Sequence, residues 1–456
     1  PLQGGRRPTM EAVQGAGGEA EGLGAGDRLH IACVYGTVVA YVTCSGALVN
    51  VILPKHLLDM SCAAHPQAPC GSEEAVALAS YWLEASRAYV NLAALVSLPA
   101  LTLVADRLGR KPVLVFAVAG AGLSAVGCAL AQSLALVVAL QTAAGLVSNV
   151  WLFIAVVYAS RADETSPGGR ARQGAFALVE ACIFLSILGG PLAFGQLADA
   201  AGARATLLVL GGLLAAAAPV AALGIRETLP ARLKDRGRGL PWCGPALSPH
   251  ALFGYFWRRR AARPAALLMA LCWAAMRGTE YLLVPYTSAA FGWSAGALGR
   301  YSAASGVVMV ALSAAVAGPL GALGRRPLIL LGAIASAAGC AAEAASSYGP
   351  AGAREALFWG GGLMYAAGTF LSPVLRAMLS EAAGPEEQSR ALGCAAAVET
   401  LCAFVAPWAY GAAYAGLEAR GAPGVHASLA YVIAAVLFLA MLPALLVAEP
   451  GAGRLW

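Results

Sequence analysis

The sequence predicts an all-α membrane protein in which twelve spanning helices form two pseudo-symmetric bundles of six. Hydrophobic residues make up 59% of the chain and charged residues only 12%, about half the charged fraction of a soluble protein. The polar residues are clustered, and the apolar runs between them are about twenty residues long, enough for a helix to cross a bilayer. Such runs are too long for barrel strands. A charged segment that recurs in both halves of the chain indicates two related bundles.

The twelve predicted spans divide the chain into five regions. The spans cover residues 29–53, 81–103, 113–131, 134–157, 174–197, 205–223, 264–285, 301–320, 328–346, 357–375, 391–414 and 429–447. The regions are a disordered N-terminus (1–28), a first bundle (29–223), a basic linker (224–263), a second bundle (264–447) and a C-terminal tail (448–456). The first region is rich in Gly, Ala and Glu, a composition typical of disorder.

The recurring charged segment has the same layout in each half. The first hinge segment, residues 104–112, reads VADRLGRKP, and the second, residues 321–327, reads GALGRRP. Their glycines, Gly109 and Gly324, are 215 residues apart, close to half the chain. Six spans plus six spans with a repeated hinge is the layout of a secondary transporter.

A second pair of similar stretches supports the repeat. RQGAFALVEA precedes span five and RALGCAAAVET precedes span eleven, and each places a glutamate six residues after a glycine. These glutamates, Glu180 and Glu399, are 219 residues apart, near the offset of the hinge glycines.

The distribution of positive charge predicts the orientation. With the N-terminus inside, 22 of the 30 lysines and arginines lie in cytoplasmic segments and only five in outer loops. The positive-inside rule therefore puts both termini in the cytoplasm. The linker carries nine of these residues, which either fix topology or contact lipid headgroups. Because the net charge of +6 follows the loops, it does not indicate a nucleic-acid partner.

The cysteines and polar residues show no pattern of a metal site or an enzyme. None of the eleven cysteines has metal-ligand spacing, and no nucleophile–base constellation is evident. Cys62 and Cys70, in the first loop, are candidate disulfide partners. Protons are the only coupling ion that we expect, and no cofactor is predicted.

Several stretches resemble a known family. YWLEASRAYVNL leads into VADRLGRKPVLV, and the chain continues with YASRADETSPGGRARQGAFALVEA and RETL; the second half contains YTSAAFGWSAGALGRYSAA and FLSPVLRAMLSEAAGPEEQSRALG. DRLGRKP resembles the signature loop of the major facilitator superfamily, and the chain as a whole resembles solute carrier family 46, the family of the proton-coupled folate transporter. The resemblance implies the major facilitator fold and alternating-access transport of a small organic anion.

Charges inside spans are costly in lipid and are functional candidates. The resemblance links Glu180 to proton coupling, since a carboxylate in a cavity of alternating wetness can take up a proton when dehydrated; alternatively, Glu180 bonds to a neighbouring helix. It implicates Arg376 in substrate binding, which suits a guanidinium facing a carboxylate or phosphate; alternatively, Arg376 snorkels to headgroups.

Three further charged residues complete the candidate set. Arg277 and Glu280 are three residues apart, so they share one helical face and can pair; we expect a role in substrate binding for the arginine and in proton coupling for the glutamate. Glu399 is a candidate for proton coupling from pseudo-symmetry with Glu180 alone. It either faces the cavity from the second half or is a structural glutamate at a helix interface.

Three positions depart from the folate transporter. Ala275 stands where that transporter has a histidine, Asn149 where it has an aspartate, and Gly292 where it has a cysteine before Trp293. Asn149 can bond a substrate but cannot titrate. These departures argue against folate itself, require any proton coupling to use carboxylates, and leave Cys62 as the partner within reach of Cys70.

The hinge segments are predicted gates. We expect Asp106 to accept hydrogen bonds from a helix N-terminus or an arginine across the cytoplasmic seam, Gly109 to form a tight turn, and Arg110 to pair with an acid at a helix end. Arg325 is the corresponding basic residue in the second segment, which lacks the acid and should latch more weakly. The alternative is a topology signal with a turn glycine.

These observations predict a proton-coupled symporter of a folate-like or other carboxylated or phosphorylated metabolite, in the plasma membrane or alternatively the lysosomal membrane. Two alternatives stay open, a lysosomal exporter of catabolites and a non-transporting receptor or scaffold on a transporter fold. The lipid bilayer and a small organic anion are the expected partners, and the oligomeric state is not predicted.

Overall fold

The structure is a computed structural model of the 456-residue chain. It describes residues 25–64, 73–165, 170–231, 234, 254–256, 258–291, 293, 295–350, 352–383, 387–418 and 428–447. The predicted disordered N-terminus up to residue 24, Cys70, most of the linker and the C-terminal tail lie outside the described residues. Cys62 is disulfide-bonded; its pairing with Cys70 stays a prediction.

The described residues form fifteen long helices. Helices α1 to α8 are, in order, Ala25–Ala47, Leu53–Ala64, Glu73–Leu108, Arg110–Leu130, Leu134–Val147, Val150–Glu164, Arg170–Ala201 and Ala203–Gly224. Helices α9 to α15 are Arg263–Phe291, Ala295–Ala317, Arg325–Ser346, Arg354–Gly368, Leu371–Ala383, Gln388–Glu418 and Leu429–Val447. A π-helical segment, Leu48–Ile52, continues α1 into α2, and 3₁₀ turns occur at Arg260–Ala262 and Pro319–Leu323.

Each predicted span coincides with one helix or with a pair of helices. Ten helical stretches in the described part of the chain are long and apolar enough to cross a membrane. The other two predicted spans, seven and twelve, are α9 and α15. The observed helices extend past several predicted ends, most of all α3, which starts at Glu73 where the sequence predicted residue 81.

Spans four and ten differ from the prediction, because each is interrupted near its middle. The first break lies at residues 148–149, between α5 and α6, and the second at residues 369–370, between α12 and α13. The breaks are 221 residues apart (369 minus 148), close to the offset of the hinge glycines. The apolar pattern continues through both breaks, which is why the sequence predicted single helices. Paired broken helices in two repeats are typical of transporters.

Three helices begin directly after a glycine with positive φ. Gly109, Gly202 and Gly324 have φ values of 126°, 85° and 82°. Only glycine adopts this region without strain, so the chain can turn sharply and start a new helix at once. Two of these glycines are those of the hinge segments, as predicted for Gly109.

The two halves pack along two helix pairs, α3 with α14 and α7 with α10, while α6 also contacts α14. Large apolar side chains such as Leu123 and Leu223 are exposed, as expected for surfaces that face lipid. Arg110 contacts Ser389, and Arg325 contacts Glu381. The first hinge segment therefore contacts the start of α14 and the second contacts the end of α13, both at one end of the molecule, which we call the hinge end.

Candidate functional site

The first-half part of the site is built by the break in span four. Asn149 ends the break, and its side-chain oxygen accepts a hydrogen bond from the backbone N–H of Trp151 at 2.8 Å. This N-cap starts α6 and satisfies one of its free N–H groups. The cap orients α6 so that Trp151 and Tyr158 face the second half. The structure thus gives Asn149 a capping contact, and its predicted contact with a substrate stays a prediction.

Glu180, on α7, is the acidic group of the first half. Its side chain is buried, and it accepts a hydrogen bond from the hydroxyl group of Tyr158 on α6. This donor is neutral. Glu180 therefore has a hydrogen bond to stabilise it but forms no direct ion pair among the described residues.

The second half repeats this contact with a charged donor. Arg376, on α13, donates from Nη2 to Oε2 of Glu399 on α14 at 2.8 Å. Arg376 lies 218 residues after Tyr158, and Glu399 lies 219 residues after Glu180. The pairs Tyr158–Glu180 and Arg376–Glu399 are thus pseudo-symmetric, and the change from tyrosine to arginine makes the two halves electrostatically different.

Arg277, on α9, links the remaining predicted residues. It donates to Oε1 of Glu399 at 3.0 Å and to Oε2 of Glu280 at 2.5 Å. The side chain of Glu399 has no exposed surface, whereas that of Glu280 is 49% exposed. The predicted pairing of Arg277 with Glu280 is therefore present. Glu399, which pseudo-symmetry alone indicated, accepts hydrogen bonds from both Arg277 and Arg376.

The guanidinium groups of Arg277 and Arg376 lie against aromatic rings at the seam between the halves. The guanidinium of Arg277 lies 4.6 Å from the ring centre of Trp151 and 5.0 Å from that of Trp273. That of Arg376 lies 4.9 Å from the ring centre of Tyr158 and 5.4 Å from that of Trp273. Each cation–π contact at a dehydrated site is worth up to about 2 kcal/mol. Trp151 and Tyr158 belong to the first half, so both arginines bridge the halves.

We call Tyr158, Glu180, Arg277, Glu280, Arg376 and Glu399 the central cluster. Its three carboxylates and two guanidiniums give one net negative charge when all are ionised. Two guanidinium nitrogens, Nη1 of Arg376 and Nε of Arg277, are buried and have no hydrogen-bond acceptor among the described residues. Buried donors without acceptors are costly, and they mark where an oxygen of a bound molecule could sit.

Asp106 joins the two halves at the hinge end. Its carboxylate accepts hydrogen bonds from the backbone N–H groups of Ser389 at 3.2 Å and of Arg390 at 3.0 Å, in the first turn of α14. It also pairs with Arg110, four residues on. A carboxylate at a helix N-terminus is stabilised by the helix dipole. The predicted contact of Asp106 is therefore present; its role as a gate is a prediction.

Arg110 is buried among acidic groups of the first half. Its Nε donates to Asp163, at the end of α6, at 3.2 Å, and its backbone N–H donates to Glu227 at 2.9 Å. The carboxylate of Glu227 occupies the space beside Gly109, where an added Cβ would lie 1.8 Å from Oε2. Gly109 is thus required both by its φ and by this carboxylate.

The second hinge segment repeats one of these contacts and lacks another. Arg325, at the start of α11, pairs with Glu381 near the end of α13, as Arg110 pairs with Asp163. Gly321 occupies the position that corresponds to Asp106, 215 residues later. The second seam packs closely instead, and a Cβ on Gly174 would lie 3.3 Å from the carbonyl oxygen of Ala317.

Four residues of the site were not predicted from the sequence: Tyr158, Trp151, Trp273 and Asp163. The repeat offset would have paired Tyr158 with Arg376.

Comparisons with known proteins agree with this architecture. A sequence model of the Major Facilitator Superfamily matches residues 76–320. Two relatives, the class C tetracycline resistance protein of Escherichia coli and the class G protein of Vibrio anguillarum, are 28% and 27% identical to the chain. Both alignments cover 76% of this chain, and they cover 82% and 83% of the relatives.

Two solved structures share the fold. The human organic anion transporter MFSD10 (TETRAN) superposes with a TM-score of 0.69 at 18% identity, over 92% of this chain and 99% of that protein. The proton:xylose symporter XylE superposes with a TM-score of 0.68 at 15% identity, over 92% and 96%. At such identities the likeness concerns the fold alone. The predicted fold class, an all-helical major facilitator fold, is confirmed.

Proposed function

The chain belongs to the major facilitator superfamily, whose members are membrane transporters and not enzymes, and on that premise we propose that it is a proton-coupled symporter of a small organic anion. The observation that carries the proposal is the buried Nη1 of Arg376 in the central cluster, which has no hydrogen-bond acceptor among the described residues. A guanidinium binds a carboxylate or phosphate with strong, directional hydrogen bonds. Arg376 is therefore the proposed anion-binding residue, with Arg277 beside it.

Glu180 is the proposed proton carrier. It lies across the seam from Arg376, joined to it through Tyr158, whose hydroxyl bonds to Glu180 and whose ring contacts the guanidinium. A second negative charge in a dehydrated cluster is strongly unfavourable. An anion on Arg376 therefore favours the protonated form of Glu180, and the two ligands bind together.

The charge of the cluster supports this coupling. Empty and fully ionised, it carries one net negative charge; loaded with one proton and one monoanion, it carries the same charge. The loaded and the empty protein then change between their two conformations with the same net charge in the central cluster. Glu399 is the proposed fixed counter-ion that orients both arginines, and Glu280, on the exposed side of Arg277, is a further proton acceptor.

Alternating access would follow from rocking the first bundle (29–223) against the second (264–447), with the linker (224–263) between them. The excess of positive charge at the hinge end supports a cytoplasmic location of that end and of both termini. Asp106 would then hold the cytoplasmic side closed in the conformation described here. The plasma membrane is the proposed location, and a lysosomal exporter of catabolites is the alternative.

The finer resemblance to solute carrier family 46 remains part of the proposal. It favours a folate-like or other carboxylated or phosphorylated metabolite, while Ala275, Asn149 and Gly292 argue against folate itself. No cofactor besides the proton is proposed.

The test is uptake of labelled organic anions into proteoliposomes with an imposed pH gradient. We expect accumulation driven by an acidic exterior, its loss in Glu180→Gln, and retained exchange of anion for anion in that variant, because exchange needs no net proton movement. Asp199→Asn is the matched control, since this acid is 82% exposed and, in the described part of the chain, pairs with Lys55 alone. Binding without flux in the wild type would contradict transport and favour the receptor alternative.

A second candidate function is proton-driven export. The empty cluster has net negative charge, which suits a cationic substrate that competes with the proton, and two relatives are named tetracycline resistance proteins. Accumulation of a cationic probe driven by the opposite pH gradient would favour export over symport.

A further inference from the structure

A further buried carboxylate, outside the central cluster, is Glu343. Glu343 is on α11, three residues before the end of that helix and opposite its hinge end, and is 2% exposed. Glu343 lies eighteen positions after Arg325, which is at the hinge end of α11, and this separation corresponds to about 27 Å along a helix axis. The function proposed above does not use this group.

The partners of Glu343 are all uncharged. The hydroxyl group of Tyr301, on α10, donates to its Oε1 at 2.8 Å. Within the described residues, no arginine, lysine or histidine forms an ion pair with it. The other titratable groups around this pair come from three elements, and none is a cation. Among the described residues they are Cys340 of α11 and Tyr431 of α15, which face Glu343, and Tyr365 of α12, which faces its partner Tyr301.

Aromatic rings surround this carboxyl group. Phe358 lies with its ring centre 5.5 Å from that of Tyr301 and 5.8 Å from that of Tyr431. Tyr286, Phe291 and Trp293, from the end of α9 and the connection to α10, extend the same cluster. The hydroxyl group of Tyr431 is buried and has no hydrogen-bond partner among the described residues.

The packing restricts what can neutralise Glu343. A Cβ added at Gly361 would lie 2.9 Å from the Cγ of Glu343, and one at Gly362 would lie 1.9 Å from the hydroxyl oxygen of Tyr301. The neighbouring backbone is therefore in direct contact with this pair. A site that does not accept a methyl group at these points accepts a proton more readily than an organic cation.

We propose that Glu343 is a second proton-binding site of the protein, distinct from the residues of the central cluster, and that it is protonated in the structure described here. An ionised carboxylate with one neutral hydrogen bond, in a shell of aromatic rings, is much less stable than the neutral acid. Protonation removes this cost and requires no cation.

The position of the site gives it a consequence for movement. Tyr286 bonds to the hydroxyl groups of Ser346 at 3.0 Å and of Ser347 at 2.8 Å, so the end of α9 is held against the end of α11 beside Glu343. Loss of the proton would place a negative charge beneath these rings and favour admission of water. Opening of this end is therefore linked to release of the proton.

The experiment is infrared spectroscopy of the purified, membrane-reconstituted full chain at neutral pH, without substrate. The carbonyl stretch of a protonated carboxyl group is expected in the wild type and in Glu355→Gln, and a component of it is expected to disappear in Glu343→Gln. Glu355 is the matched control, because it belongs to the same region and is exposed, with a hydrogen bond from the indole N–H of Trp293 at 2.9 Å. Identical wild-type and Glu343→Gln spectra would overturn the proposal.

A second variant keeps the test valid if Glu343→Gln does not fold. Tyr301→Phe retains the acid and removes its hydrogen-bond donor, so the same carbonyl component is expected to shift in frequency. A spectrum unchanged by Tyr301→Phe would also overturn the proposal. Because no substrate is present, failure here leaves the proposed anion symport intact, and failure of the uptake assay leaves this proton site intact.

Discussion

Replacement of Asp106 by alanine should release the contact between the two halves at the hinge end. The carboxylate accepts two backbone hydrogen bonds from the first turn of α14, at Ser389 and Arg390, and these are lost together. Arg110 keeps its partner Asp163 and its contact with Ser389, so the variant removes the two backbone hydrogen bonds to α14 while leaving a counter-ion for the buried arginine.

The size of the effect follows from the number of bonds. Each hydrogen bond to a charged group contributes about 1.5 kcal/mol or more, so the two together stabilise the closed hinge end by about 3 kcal/mol. Each 1.4 kcal/mol is about tenfold in an equilibrium constant. Asp106→Ala should therefore shift the equilibrium toward the open hinge end by about a hundredfold. Asp106→Asn keeps one acceptor and should produce a smaller shift.

A native thiol reports this opening. Cys394 lies on α14, one turn beyond the bonded backbone, and has no exposed surface in the closed structure. Its rate of alkylation, measured by mass spectrometry, should rise in Asp106→Ala by up to the same factor. Cys340, which is also fully buried but lies on α11, should not change. Asp199→Ala, at an exposed ion pair, is the control substitution.

The rate of Cys394 alkylation decides whether Asp106 holds the hinge end closed. If Asp106→Ala is produced at wild-type levels and Cys394 reacts at the wild-type rate, the hydrogen bonds to α14 do not hold the hinge end closed. Equal increases at Cys394 and Cys340 would indicate general loosening, and would contradict a local gate.

Three further variants test the site and the fold. Gly109→Ala should lower the unfolding temperature more than Gly324→Ala. Each substitution places a side chain at a positive φ that costs about 1–3 kcal/mol, but only a Cβ at Gly109 also meets a carboxylate, whereas nothing lies within 4 Å of a Cβ at Gly324. Equal effects would contradict the contact. Arg376→Gln should abolish anion uptake and destabilise the protein by less than about 3 kcal/mol, the cost of an unpaired buried charge, because Glu399 keeps Arg277. Adding Glu399→Gln returns the cluster to one net negative charge and should restore part of the stability but not uptake; recovered uptake would show that Arg376 does not bind substrate. Burial lowers the pKa of His56, whose Nε2–H donates to the carbonyl oxygen of Cys128 at 3.1 Å. The folded state thus favours the neutral ring, so the free energy of unfolding should be constant above the unfolded pKa of about 6.5 and should decrease as the pH falls below it. Thermal scans of His56→Gln at a series of pH values should show a smaller decrease. An equal pH dependence of the unfolding temperature in the two proteins would contradict the role of His56.

The sequence by itself determined the elements and their order. Long apolar runs can satisfy their backbone hydrogen bonds in lipid only as helices, so the twelve spans follow from hydropathy, and α15 matches its predicted bounds, residues 429–447. The hinge offset likewise identified the repeat. Charges within spans are costly wherever they occur, so Glu180, Arg277 and Arg376 could be selected without any coordinates.

The tertiary structure decided which of these groups meet. Glu399 was indicated only by its offset from Glu180, yet it binds two arginines, one of them from α9, 122 residues away in the chain. Hydropathy did not select Tyr158, because an aromatic residue inside a span costs nothing in lipid; in the structure its hydroxyl bonds to Glu180 and its ring contacts Arg376. The breaks in spans four and ten were hidden for the same reason, since hydropathy records where a helix can lie in lipid and not where its backbone turns toward a site.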